Sequence, residues 1–124
     1  PIVLNSCGFK YGAPRDSNFI FDVRFLPNPY WEPSLKEFNG LNPLIQEYVS
    51  DFPDFDVYIS SLYISLKLAI DEFIKLQKGY VTISFGCTGG KHRSVTIAEK
   101  IRKLFINDEY SVVTIHREID EDTI

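Results

Sequence analysis

Short apolar runs and longer amphipathic stretches take turns along this chain. Ile2-Val3-Leu4-Asn5-Ser6 is apolar, closes at Cys7-Gly8 and predicts a first strand, with Gly8 to Pro14 as the loop after it. Phe19-Ile20-Phe21-Asp22-Val23-Arg24-Phe25 alternates: Phe19, Phe21, Val23 and Phe25 share one face, and Ile20, Asp22 and Arg24 the other. That predicts a second strand, at an edge or beside a polar site. Tyr80 to Phe85 predicts a buried third strand, and Tyr110 to Ile115 a last one, after a turn at Asn107-Asp108-Glu109. Between them, Ser34-Leu35-Lys36-Glu37 fits a capping box and predicts a short helix. Asn42-Pro43 fits an N-cap and first turn, opening a helix to about Val49. Pro53-Asp54 opens the longest helix. There Ile59, Leu62, Leu66, Ile70 and Phe73 recur at helical steps, Tyr63 and Ile74 widen the stripe, and Gly79 fits the C′ position. Ser94 to Phe105 predicts the last helix through Val95, Ala98, Ile101, Leu104 and Phe105, with Glu99 facing Arg102 and Lys103.

This order predicts the α/β class: one domain, a mostly parallel sheet flanked by helices, and a site at the carboxyl ends of the strands. Three prolines between Pro27 and Pro33 exclude regular structure there. The only Trp, Trp31, sits in this stretch beside Tyr30 and reads either as a pocket wall or as cover for a core edge.

Composition changes the picture in two places. The 124 residues are 44% hydrophobic and 24% charged, ordinary for a globular domain with its own core. The formal net charge of −4 excludes a whole-domain nucleic-acid footprint, so anion binding needs a local cluster. No apolar run is long enough to cross a bilayer: Phe55 to Leu76 is interrupted by Lys67, Asp71 and Glu72. Cys7 and Cys87 read as two free thiols, with a single disulfide as the other option. The plain expectation is a cytoplasmic protein without cofactor or metal. Pro1 and the lack of any Met suggest a processed or excised start.

The candidate chemistry is concentrated in Cys87-Thr88-Gly89-Gly90-Lys91-His92-Arg93-Ser94, between the third strand and the last helix. A glycine turn entering a helix points unpaired N–H groups and the positive end of the helix dipole at an anion. Gly89 and Gly90 allow a sharp turn and close approach. The hydroxyls of Thr88 and Ser94 offer hydrogen bonds, Arg93 a bidentate clamp, Lys91 or Lys10 a point charge, and His92 a further charge or an orienting contact. The loop is not a Walker A sequence, so ATP hydrolysis has no support.

Two functions remain open from these residues. One is recognition of a phosphorylated small molecule. The other is a cysteine-dependent phosphatase, because Cys87 and Arg93 with Ser94 next have the C-x5-R-[ST] spacing, and Asp16 or Asp22 would then be the leaving-group acid. Cys is among the most buried residue types, so Cys87 reads as a core thiol more readily than as a nucleophile. His116-Arg117 reads as a solvated strand end, and Lys100, Arg102 and Lys103 as the wet face of a helix with the makings of an RNA patch.

Gly8-Phe9-Lys10-Tyr11-Gly12, the run Phe21 to Pro29, Gly40-Leu41 and above all Gly86 to Val95 resemble the C-terminal domain of the RapZ-type RNase adaptor proteins, also called YvcJ-like nucleotide-binding proteins. The resemblance covers nearly the whole chain. It implies a regulatory domain that senses an amino-sugar phosphate and, in some members, binds small RNAs and presents them to an endoribonuclease. It also implies self-association, and a preceding P-loop kinase-like domain that these residues do not contain. Carried over by position, the sugar-phosphate pocket would use Lys10, Tyr30, Thr88, Gly89, His92 and Arg93. RNA-adaptor members have His where this chain has Tyr30, and a basic tail where it has Glu118-Ile119-Asp120-Glu121-Asp122, an end that opposes RNA contact.

Overall fold

The computed structural model describes residues 1–76 and 79–119. Four strands, β1 (Ile2–Gly8), β2 (Phe19–Asp22), β3 (Val81–Cys87) and β4 (Val112–His116), form one sheet in the order β2-β3-β1-β4. Every pairing is parallel, so the carboxyl ends of the strands share one edge. In the central pair the register runs from Ile2 opposite Val81 to Gly8 opposite Cys87. The helices are α1 (Pro43–Val49), α2 (Phe55–Lys75) and α3 (Arg93–Asn107).

The helices and one face of the sheet share a single core. Ile2, Leu4, Ile83 and Phe85 from that face pack with Ile45, Ile59, Leu62, Leu66, Ile97, Ala98, Ile101 and Phe105. α3 lies on β1, β3 and β4, and α1 and α2 lie against α3. Phe85 and Phe105 are fully buried, each contributing about 2–3 kcal/mol of apolar burial. The rings of Tyr63 and Tyr110 meet Phe105 edge-on at 4.9 and 5.2 Å. The opposite face of the sheet is covered at its carboxyl end, where Phe9 lies over Gly86 and Ser17 hydrogen-bonds Ser84. Ile20, Val113 and Ile115 on that face stay exposed.

Several elements depart from the pattern. β2 stops at Asp22 instead of continuing to Phe25: Val23 makes one more bond to Gly86, then the chain turns at Arg24 and Phe25. Phe25 is exposed and meets the edges of Phe52 and Tyr58 instead of lining the sheet. Ser34 to Glu37 is a run of turns, not a helix, because the Ser34 hydroxyl bonds Glu32 and leaves the capping box unmade. Gly79 is not the C′ residue of α2, which is capped by Leu76 three positions earlier. Cys7 and Cys87 are both free and buried. The acidic residues 120–122 lie outside the described residues.

The packing of Gly86 under Phe9 gives a direct test. A Cβ there would lie 2.2 Å from Phe9 Cζ, so Gly86→Ala is expected to cost about 1–3 kcal/mol in urea unfolding. Gly79→Ala, which meets nothing within 4 Å, is expected to stay within about 0.5 kcal/mol.

Candidate functional site

Where β1 and β3 end together, the chain leaves β3 through a turn that is pressed onto the end of β1. Gly90 has φ 76°, which glycine adopts freely, and a Cβ there would fall 2.4 Å from Gly8 N. A Cβ on Gly8 would in turn lie 2.5 Å from the Gly89 carbonyl carbon. Lys10 N–H donates to the Thr88 carbonyl at 3.2 Å, so the turn Phe9–Tyr11 travels with the loop. Beneath them, Gly8 N–H donates to Glu118 Oε2 at 2.7 Å. Arg117 donates to the carbonyls of Gly8 and Gly12 and pairs with Glu118.

This turn leaves its own donors unspent. Among the described residues, the backbone amides from Thr88 to Arg93 donate no hydrogen bond within the chain. The residues that carry them, Gly90 apart, border a cavity of about 340 Å³ lined by Lys10, Asn28, Tyr30, Trp31, Cys87, Thr88, Gly89, Lys91, His92 and Arg93.

Arg93 opens α3 and is buried, yet its guanidinium borders the cavity. Its Nη1 donates to the Arg24 carbonyl at 2.5 Å, and Nη2 reaches Thr88 Oγ1 at 3.5 Å. The early turn out of β2 is what brings the Arg24 carbonyl to it. The Arg24 side chain is spent elsewhere, on a two-point pair with Asp22 and over the Phe9 ring at 4.9 Å. Hydrogen bonds from Arg24 hold the Asp22 carboxyl below the usual range, so Asp22 is a poor proton donor and does not line the cavity.

His92 is buried at the N-cap of α3, and its Nε2 lies 2.7 Å from the Phe38 carbonyl and 3.2 Å from that of Lys36. Burial holds its pKa below the ordinary imidazole range, against the pull of those two carbonyls and aided by the charges of Arg93 and Lys91. Cys87 is 2% exposed; its thiol donates to Ser94 Oγ at 3.2 Å and accepts from Ser94 N–H at 3.4 Å. The opposite wall is the turn Pro29–Trp31, where Asn28 Oδ1 caps Tyr30 N–H and the ring centroids of Tyr30 and Trp31 stand 5.2 Å apart. Trp31 is 77% exposed and covers no core.

The structure thus gathers Lys10, Tyr30, Thr88, Gly89, Lys91, His92 and Arg93 around one space. Gly90 and Ser94 are not on its wall: Gly90 is buried against Gly8, and Ser94 faces the Cys87 thiol. Glu118, the Arg24 carbonyl and the Lys36 and Phe38 carbonyls position the loop without any motif announcing them. His116 is not a solvated strand end. It is buried between Ser6 Oγ at 2.7 Å and Glu99 Oε2 at 2.8 Å, because strand alternation turns it toward α3. Glu99 therefore serves His116 first, and Arg102 only at 3.8 Å. Among the described residues no cluster of His, Cys, Asp and Glu is arranged to hold a metal ion, and no helix is long and apolar enough to cross a membrane.

A two-layer α/β domain with a glycine loop of unpaired amides at the carboxyl edge of a parallel sheet is the class that fold and site define. The sequence profile of the RapZ C-terminal domain matches residues 1–120, and the chain belongs to that family. It is 40% identical over 121 residues to a nucleotide-binding protein of Heliobacterium modesticaldum, covering 98% of this chain and 40% of that protein. It is 44% identical over 121 residues to one from Clostridium acetobutylicum, covering 98% of this chain and 41% of that protein. A third, from Limosilactobacillus fermentum, is 46% identical over 116 residues, 94% of this chain and 40% of its own length. The chain therefore spans about 40% of the curated relatives it matches.

The two loop glycines are expected to behave differently. Gly90→Ala should lose about 2–4 kcal/mol in thermal or urea unfolding, from its positive φ and its contact with Gly8. Gly89→Ala, with nothing within 4 Å of the added methyl, should fold with stability changed by under about 0.5 kcal/mol while placing that methyl in the cavity.

Proposed function

We propose that this domain binds and senses a phosphorylated small molecule, an amino-sugar phosphate or a close analogue, as part of a regulatory, RNase-adaptor-like protein of the cytoplasm. The observation that supports it most is the set of unpaired amides on Thr88, Gly89, Lys91, His92 and Arg93, residues that border one cavity together with the cations of Lys10, Lys91 and Arg93. Amides and guanidinium suit phosphate oxygens. Asn28, Tyr30 and Trp31 offer the opposite end of the ligand a hydrogen-bonding and stacking wall. The relatives carry the name nucleotide-binding protein; since the chain matches about 40% of each, nucleotide binding need not fall within this part.

RNA contact is the less supported half of the proposal. Its cations would be Lys100, Arg102 and Lys103, of which Arg102 is paired with Glu99, on a chain of net charge −4. Self-association stays within the proposal, and the exposed Ile20, Val113 and Ile115 give it a surface.

Hydrolysis by Cys87 draws on one observation, the contact of its sulfur with Ser94 beside Arg93. It lacks a leaving-group carboxyl: among the described residues no Asp or Glu lines the cavity.

Calorimetry with glucosamine phosphate is expected to show binding that the unphosphorylated sugar lacks. Arg93→Ala should weaken it roughly 10- to 100-fold, the worth of one charged hydrogen bond, with the circular dichroism spectrum unchanged. Equal affinity for wild type and Arg93→Ala would refute the assignment. A phosphomonoester assay should find no turnover that Cys87→Ser abolishes; Cys87-dependent turnover would make the phosphatase the better account.

A further inference from the structure

We propose that filling this site with an oxyanion takes up one proton, which is then held on Nδ1 of His92. The inference rests on the anion-binding assignment above and adds to it how the site is regulated.

Carbonyl oxygens only accept hydrogen bonds. With Nε2 of His92 at 2.7 Å from the Phe38 carbonyl and 3.2 Å from the Lys36 carbonyl, the hydrogen of a neutral ring must sit on Nε2. Nδ1 is then a bare acceptor. It has no hydrogen-bond partner among the described residues and is not one of their sealed, unpaired buried atoms, while the ring forms part of the cavity wall with Thr88, Gly89 and Arg93. A lone pair turned toward an oxyanion repels it. A proton on that nitrogen makes it one more donor beside the loop amides.

The charges around the ring make this a two-state contact. On its own segment stand Lys91 and Arg93; on the turn it bonds are Lys36, whose ammonium lies over the Tyr30 ring, and Glu37, which is exposed. From β3 comes Cys87, and from the turns that close the cavity come Lys10 and Tyr30. The cavity wall itself carries no carboxylate among the described residues, so in the empty site the neighbouring cations and burial keep the ring neutral. An oxyanion neutralises those cations and supplies an acceptor for the new N–H. The neutral form is therefore favoured when the site is empty and the charged form when it is filled. In the pH range between these two states, binding takes up a proton and affinity must fall as pH rises.

Sulfate is the probe, because its charge does not change between pH 6.0 and 7.5, a range that also stops short of ordinary thiol ionisation at about 8.5. Sulfate affinity of the wild-type domain is expected to weaken by up to tenfold per pH unit across that range. His92→Gln keeps an amide nitrogen for the Phe38 carbonyl but cannot titrate, and its affinity should be flat. Imidazole nitrogen NMR gives the direct readout, since the chain has only 2 histidines and His116 serves as the internal reference. Added sulfate should move His92 Nδ1 from the bare to the protonated range. A flat wild-type profile, a slope retained in His92→Gln, or a bare Nδ1 in the sulfate complex would overturn the proton linkage while leaving the anion site standing. If neither sulfate nor inorganic phosphate binds at any pH, the anion site itself falls, and the linkage with it.

Discussion

The contact on which the rest depends is the one between two glycines, Gly8 at the end of β1 and Gly90 in the loop after β3. With no side chain on either, the loop folds back onto the strand end until Gly90 lies against Gly8 N. The loop pressed there enters α3 with its amides unpaired within the chain, and Thr88, Gly89, Lys91, His92 and Arg93 border the cavity. Glu118 completes the arrangement by accepting the Gly8 amide, the donor that this packing would otherwise bury unpaired. The loop of unpaired amides is thus a consequence of how two parallel strands end side by side.

The site is then held from three directions. Arg117 ties the segment after β4 to the carbonyls of Gly8 and Gly12. The Arg24 carbonyl orients Arg93, and the carbonyls of Lys36 and Phe38 hold the His92 ring. Arg93 and the His92 ring are thus positioned by main-chain carbonyls from other parts of the fold.

Much of this was legible in the order of residues. The apolar runs at Ile2 and Tyr80, the stripes on α2 and α3 and the glycine turn between β3 and α3 carry their periods openly, because burial on one face demands them. What stayed hidden is of two kinds. The end of β2 at Asp22 and the burial of His116 are settled by partners far along the chain, Arg93 and Glu99, and the cap at Ser34 is unmade because its hydroxyl turns back to Glu32. Local alternation around Phe25 is as good as around Phe21, and only the tertiary turn that feeds the Arg24 carbonyl to Arg93 breaks it. Among the candidate ligand contacts, residue type was a guide to the chemistry but not to direction. Gly90 and Ser94 belong to the loop and support it from behind, whereas Gly89 and Thr88 face the space.

The central claim is that the amides from Thr88 to Arg93 are free and meet an anion. The most direct measurement is an amide NMR titration of the domain with inorganic phosphate, following the backbone signals of Thr88, Gly89, Lys91, His92 and Arg93. The account predicts saturable downfield shifts confined to this loop and to Lys10, together with slowed exchange of the same amides with solvent. Saturation without shifts in these signals, or shifts spread evenly over the exposed lysines, would contradict it.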